Sequence, residues 1–171
     1  MDIAPPALLT AADPAPVRIV NPDSSGPLLL VCDHAGKAVP AALHGLGVPD
    51  TELDRHIGWD IGAAAVTEGL ARRLDALAVL SVYSRLVVDC NRWSDSPTLM
   101  PAVSDGTPVP ANQDLTEAAR ALRLEALYQP YHDAITAARA RIAGRGQGAV
   151  LISIHSFTPQ TNGFQRPWHV G

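Results

Sequence analysis

Three short apolar runs stop abruptly at polar residues, and this pattern constrains the fold more than any other feature of the chain. Residues 28–32 (LLLVC) end at Asp33-His34, residues 86–90 (LVVDC) at Asn91-Arg92, and residues 150–154 (VLISI) at His155-Ser156. Runs of this length between turn formers read as strands buried on both faces, as in a parallel sheet covered by helices. Residues 77–82 add a fourth run. Between them, Ile61, Ala64, Ala65, Leu70 and Leu74 recur at near-helical spacing and predict a helix over 60–74. A shorter helix is expected over 40–46. Thr116 can cap a long helix reaching about Ile142, which Pro130 kinks or divides and Gly144, Gly146 and Gly148 end. The order β-α-β-β-α-β points to an α/β fold, a three-layer α/β/α sandwich around a mostly parallel sheet.

The remaining stretches read as connections. Residues 1–16 are rich in Ala and Pro and are expected to wrap the surface irregularly. Residues 93–113 carry Pro97, Pro101, Pro108 and Pro110 and predict a long irregular loop, a kind of segment that is usually functional when ordered. The expectation is one α/β domain over 1–171.

Charge and composition exclude several classes. A formal net charge of −4 leaves no basic footprint for nucleic acid. The longest apolar run, 27–32, is too short to span a membrane. The first twenty residues lack the basic start and continuous apolar stretch of a secretory signal. Cys32 and Cys90 each close an apolar run and read as reduced core thiols rather than a disulfide. A cytoplasmic enzyme is expected; no feature specifies an oligomeric state.

In open α/β sheets, ligands bind beyond the carboxyl ends of the strands. Polar residues at three such ends favour one cleft. His34 and His155 suit a catalytic zinc, which usually takes three protein ligands. The third is Asp60, placed by the sequence at a helix start where a carboxylate is favoured, or His56 four residues before it. Asp33 reads as an outer partner that orients an imidazole. Arg85, Asn91 and Arg92 supply planar and neutral donors for a carboxylate. The same segment admits a plainer reading, in which Asp89 and Arg92 form an ion pair at the end of a strand. Gly36 either lets backbone approach a ligand or makes a turn. No G-x-S-x-G elbow surrounds Ser84 or Ser156, and no G-x-x-x-x-G-K-[ST] loop is present.

Val31-Cys32-Asp33-His34-Ala35-Gly36 followed by Pro40, then Ser84-Arg85, Asp89-Cys90-Asn91-Arg92 and Ser153-Ile154-His155-Ser156 together resemble the N-formylglutamate amidohydrolase family. The similarity covers most of residues 25–171. It implies a fold like that of the carboxypeptidase and aspartoacylase group, with one Zn2+ and hydrolysis of an N-formyl or N-acyl amide in a small acidic amino-acid derivative. His34 and His155 would be zinc ligands, and Arg85, Asn91 and Arg92 would hold the substrate carboxylate. Arg85 would also stabilise the developing oxyanion. The wider group often carries Glu three residues after its first His, where this chain has Lys37. The resemblance further implies a glutamate general base in a region following residue 171. The alternative expectation is a protein of the same fold that binds acidic ligands without turnover.

Overall fold

A computed structural model describes residues 7–161 and 163–169. Its strands are β1 (Val17–Val20), β2 (Leu28–Cys32), β3 (Leu77–Ser81), β4 (Val103–Ser104), β5 (Thr107–Pro108), β6 (Val150–Ser153), β7 (Gln160–Thr161) and β8 (Phe164–Gln165). Its α-helices are α1 (Asp50–Leu53), α2 (Ala63–Arg73), α3 (Glu117–Arg123) and α4 (Gln129–Ala143). The main sheet has the order β1-β3-β2-β6. Strands β2, β3 and β6 run parallel, while β1 pairs antiparallel with β3.

Alternation along the strands builds two cores. Leu29, Val31, Leu77 and Val79 pack on Tyr131, Ala138 and Ile142 of α4. Leu30, Cys32, Ala78 and Leu80 point the other way, onto Ala63 and Ala71 of α2. The arrangement is the expected α/β sandwich, because a strand buried on both faces needs a helix on each side. Strand β6 is less covered: Val150, Leu151 and Ile152 are exposed at 52%, 46% and 40%.

Several local expectations change. Residues 86–90 form no strand. They are buried in turns, with the Val87 amide donating to the Ser84 carbonyl and the Asp89 amide to that of Leu99. Their hydrophobicity instead serves a third core, where Leu86, Val87 and Val88 meet Leu46, Leu53, Ile57, Leu99 and Val109. The fourth strand of the sheet is β1, whose half-exposed VRIV sequence gave no strong apolar run. Residues 41–47 form 3-10 turns in which His44, Gly45 and Leu46 take left-handed conformations. Within the long loop, Asp105 and Gly106 have φ of 44° and 78° and turn the small β4–β5 hairpin.

The long helical region starts as expected, with the Thr116 hydroxyl accepting from the Ala119 amide at 3.2 Å. Pro130 stands in the first turn of α4, just after a π-helical segment at Leu124–Tyr128. Arg123, only 2% exposed, donates to Asn112 Oδ1 and to the carbonyls of Val87 and Ala111. Asn112 in turn donates to the carbonyls of Leu86 and Pro101. A buried guanidinium thus fastens the irregular 86–112 region to the helices.

Of the N-terminal segment, the described part is irregular but tied down. Leu8 enters the third core, Asp13 accepts from the Ala41 amide at 2.8 Å, and the Pro14 carbonyl accepts from Tyr83. No helix among the described residues is long and apolar enough to cross a membrane.

Candidate metal centre and cleft

Parallel pairing of β2 with β6 sets Val31 opposite Ser153. Two residues further on, the register brings Asp33 beside His155, and His155 Nε2 lies 3.2 Å from Asp33 Oδ2. Asp33 is anchored from behind by the Tyr131 hydroxyl at 2.9 Å and by Ser153 Oγ at 3.1 Å. It therefore orients His155 rather than its chain neighbour His34. The partner of His34 is Asp89, whose Oδ1 lies 2.6 Å from Nε2.

Asp60 completes the group. It is not a helix-start residue, because α2 begins at Ala63 after Gly62, whose φ is 83°. A turn closes there, and the Asp60 amide donates to the His34 carbonyl at 2.9 Å. This bond fixes Asp60 against the end of β2. Its Oδ2 lies 2.9 Å from His155 Nδ1, 3.2 Å from the Ser156 amide and 3.5 Å from His34 Nδ1. One ligand atom each from His34, Asp60 and His155 fall within 4.8 Å of one another. His56, the alternative third ligand, pairs instead with Asp105 at 3.3 Å. Lys37 faces away to pair with Asp54.

The arginines lie close by. Arg85 donates to Asp89 Oδ2 at 3.0 Å and approaches Asp60 Oδ1 at 3.4 Å. Arg92 reaches Asp89 Oδ2 only at 3.8 Å and stays half-exposed, so the expected Asp89–Arg92 pair is present but loose. The Asn91 amide donates to Asp89 Oδ1. Its side chain has no hydrogen bond among the described residues and lines neither cleft below. Gly36 abuts backbone rather than a ligand space: an added Cβ would sit 2.0 Å from the Val82 carbonyl oxygen.

Electrostatics bear on what this group can hold. Asp33, Asp60 and Asp89 are buried, and Arg85 is the permanent cation hydrogen-bonded among them. Burial alone would raise all three carboxyls. Hydrogen bonds to the histidines outweigh it and hold each below its ordinary value. Burial pulls His34 down, but Asp60 and Asp89 carry it above its usual value. Hydrogen bonds to Asp33 and then Asp60 push His155 up to about 9. His34 Nδ1 is buried without a hydrogen-bond partner while facing Asp60. Three buried carboxylates, two imidazoles each fixed by one of them, and a bare ring nitrogen form a donor set that suits a divalent cation once the imidazole protons are displaced.

Two clefts open beside this centre. One, of about 640 Å³, is lined by Asp60, Arg85, His56, Ser156, Phe157 and Arg166 among others. The second lies under the β4–β5 hairpin and is lined by Arg85, Asp89, Arg92 and His56. Sequence reasoning missed Asp89 as the holder of His34, and Arg166 as a cleft residue. An aspartate within an apolar run was a usable signal for the first. Nothing in the isolated Arg166-Pro167 pair signalled the second.

Fold and centre together define an α/β protein with a histidine–aspartate cluster that could hold a metal ion, at the carboxyl edge of a mostly parallel sheet. Residues 26–170 match the N-formylglutamate amidohydrolase family, and the chain belongs to it. A crystal structure of a gene product from Agrobacterium tumefaciens is 40% identical, with a TM-score of 0.90 over 93% of this chain and 63% of that one. An N-formylglutamate amidohydrolase from Ralstonia eutropha JMP134 is 23% identical, with a TM-score of 0.71 over 84% of this chain and 59% of that one, and shares the fold. The chain thus spans less than two thirds of the length of either solved relative. No curated protein matches it.

Proposed function

We propose that this chain carries the metal-binding part of a zinc-dependent amidohydrolase acting on N-formyl or N-acyl derivatives of small acidic amino acids. The observation that carries this reading is His34 Nδ1, buried without a hydrogen-bond partner and turned toward Asp60 Oδ2 at 3.5 Å. His34, Asp60 and His155 would hold the ion. A bound divalent cation supplies Lewis acidity for polarising an amide carbonyl.

The other residues prepare the site. Asp89 accepts a hydrogen bond from Nε2–H of His34, and Asp33 from Nε2–H of His155, leaving the lone pairs of both Nδ1 atoms for the ion. Arg85, already oriented by Asp89 and Asp60, offers its guanidinium to the oxygen that gains negative charge. Arg92 is loosely held and free to turn to a substrate carboxylate, with Asn91 beside it. Free, buried Cys32 and Cys90 fit a reducing cytoplasmic setting.

The test is release of formate from N-formylglutamate by zinc-loaded protein, compared with protein stripped by a chelator. Zinc-dependent release supports the reading. Stoichiometric zinc binding without release from N-formyl or N-acetyl amino acids would replace it with ligand binding alone.

A further inference from the structure

We infer that Arg166 recognises the second carboxylate of a dicarboxylic ligand, held in place by the ring of Phe157. The inference rests on the proposed substrate site running across both clefts through Arg85, and adds a specificity residue to it. Arg166 follows the β7–β8 hairpin and is partly buried. Its guanidinium lies over the Phe157 ring, 5.0 Å from the centroid. Phe157 itself is 41% exposed. An arginine stacked on an aromatic face keeps its hydrogen-bonding edge free, which is an efficient way to present a fork to a carboxylate.

The charges around the cleft leave this arginine unassigned. Asp60 is engaged by His155 and Arg85. Asp105 is engaged by Arg55 at 3.0 Å and His56 at 3.3 Å. Among the described residues, no carboxylate pairs with Arg166. Arg85 borders both clefts, whereas Arg92 borders only the one under the hairpin and Arg166 only the larger one. A ligand with one carboxylate meets its needs at Arg85 and Arg92. A ligand with a second carboxylate gains Arg166, and one with a neutral end leaves it unused.

The test is equilibrium binding of glutarate and of pentanoate to the full chain by titration calorimetry, with Arg166→Met and Arg166→Lys alongside. Wild type is expected to favour glutarate by about tenfold or more, the scale of a hydrogen bond between charged groups. Arg166→Met should lose that preference while binding pentanoate as before, and Arg166→Lys should keep part of it. Unchanged melting temperatures separate this from misfolding. Equal binding of both ligands by wild type, or an unaltered preference in Arg166→Met, overturns the inference. Because no turnover is read, a glutarate preference without formate release would remove the hydrolase reading alone, and formate release without the preference would remove Arg166 alone.

Discussion

His34 and Asp89, separated by 55 residues of chain, meet at 2.6 Å between Nε2 and Oδ1. That bond decides which face of the imidazole is left for a ligand, so both residues are expected to control metal binding in different degrees. His34→Ala should lose zinc altogether. Asp89→Asn should weaken zinc by about 10–100-fold, as is typical of partners behind a metal ligand. His56→Ala should leave zinc unchanged, since His56 is turned to Asp105. Metal content after equilibrium dialysis checks all three; full occupancy in His34→Ala would remove it from the ligand set.

The stability of the metal-free protein should depend on pH in a defined way. His155 is raised from 6.5 to about 9 in the folded state. Its contribution is fully present below about 6.5 and is lost as pH rises through about 9. Asp33, Asp60 and Asp89 are lowered from 3.8, so theirs is present above about 3.8 and lost on acidification. Thermal unfolding in chelator should therefore peak in mildly acidic buffer and decline toward pH 9. Zinc affinity should rise over the same alkaline interval, because the ion displaces the His155 proton. A flat melting profile from pH 6 to 9 would refute the assignment.

Two glycines should respond oppositely to alanine. At Gly36 the new methyl group would collide with Val82 backbone at 2.0 Å, and Gly36→Ala should destabilise by at least about 3 kcal/mol. Gly69 lies inside α2 with nothing within 4 Å of its would-be Cβ, and Gly69→Ala should stabilise by about 0.5–1 kcal/mol. Urea denaturation measures both.

Arg123 should matter for stability although it lines neither cleft beside the centre. Arg123→Met keeps much of the side-chain volume but strands Asn112 Oδ1, the buried Val87 carbonyl and the partly buried Ala111 carbonyl, a loss of about 2–4 kcal/mol. The same denaturation experiment reads it, and an unchanged midpoint would mean that water replaces the guanidinium.

Strands β2, β3 and β6 were legible because their apolar runs are short and bounded by turn residues. Residues 86–90 misled for the same reason: hydrophobicity reports burial, and these residues are buried without a ladder. Strand β1 escaped because an edge strand with two exposed positions lacks that signal. At the centre, His34, Asp60, His155 and Arg85 come together from positions named on sequence grounds, although Asp60 does so through a turn rather than a helix start. The pairing of Asp33 with His155 and of Asp89 with His34 could not be read from adjacency. The first depends on which strands neighbour each other, a property of the sheet, and the second on how the buried, non-strand segment 86–90 folds back onto the end of β2.

The Val31–Ser153 pairing carries one last consequence. Side chains in a strand alternate faces, so a slip of β6 by one residue would swing His155 to the opposite side of the sheet and leave Asp33 facing the wrong neighbour. Misaligned molecules would retain most of their apolar burial and yet lack the proposed metal site. Metal uptake is thus a sensitive gauge of whether this edge has zipped in the native frame.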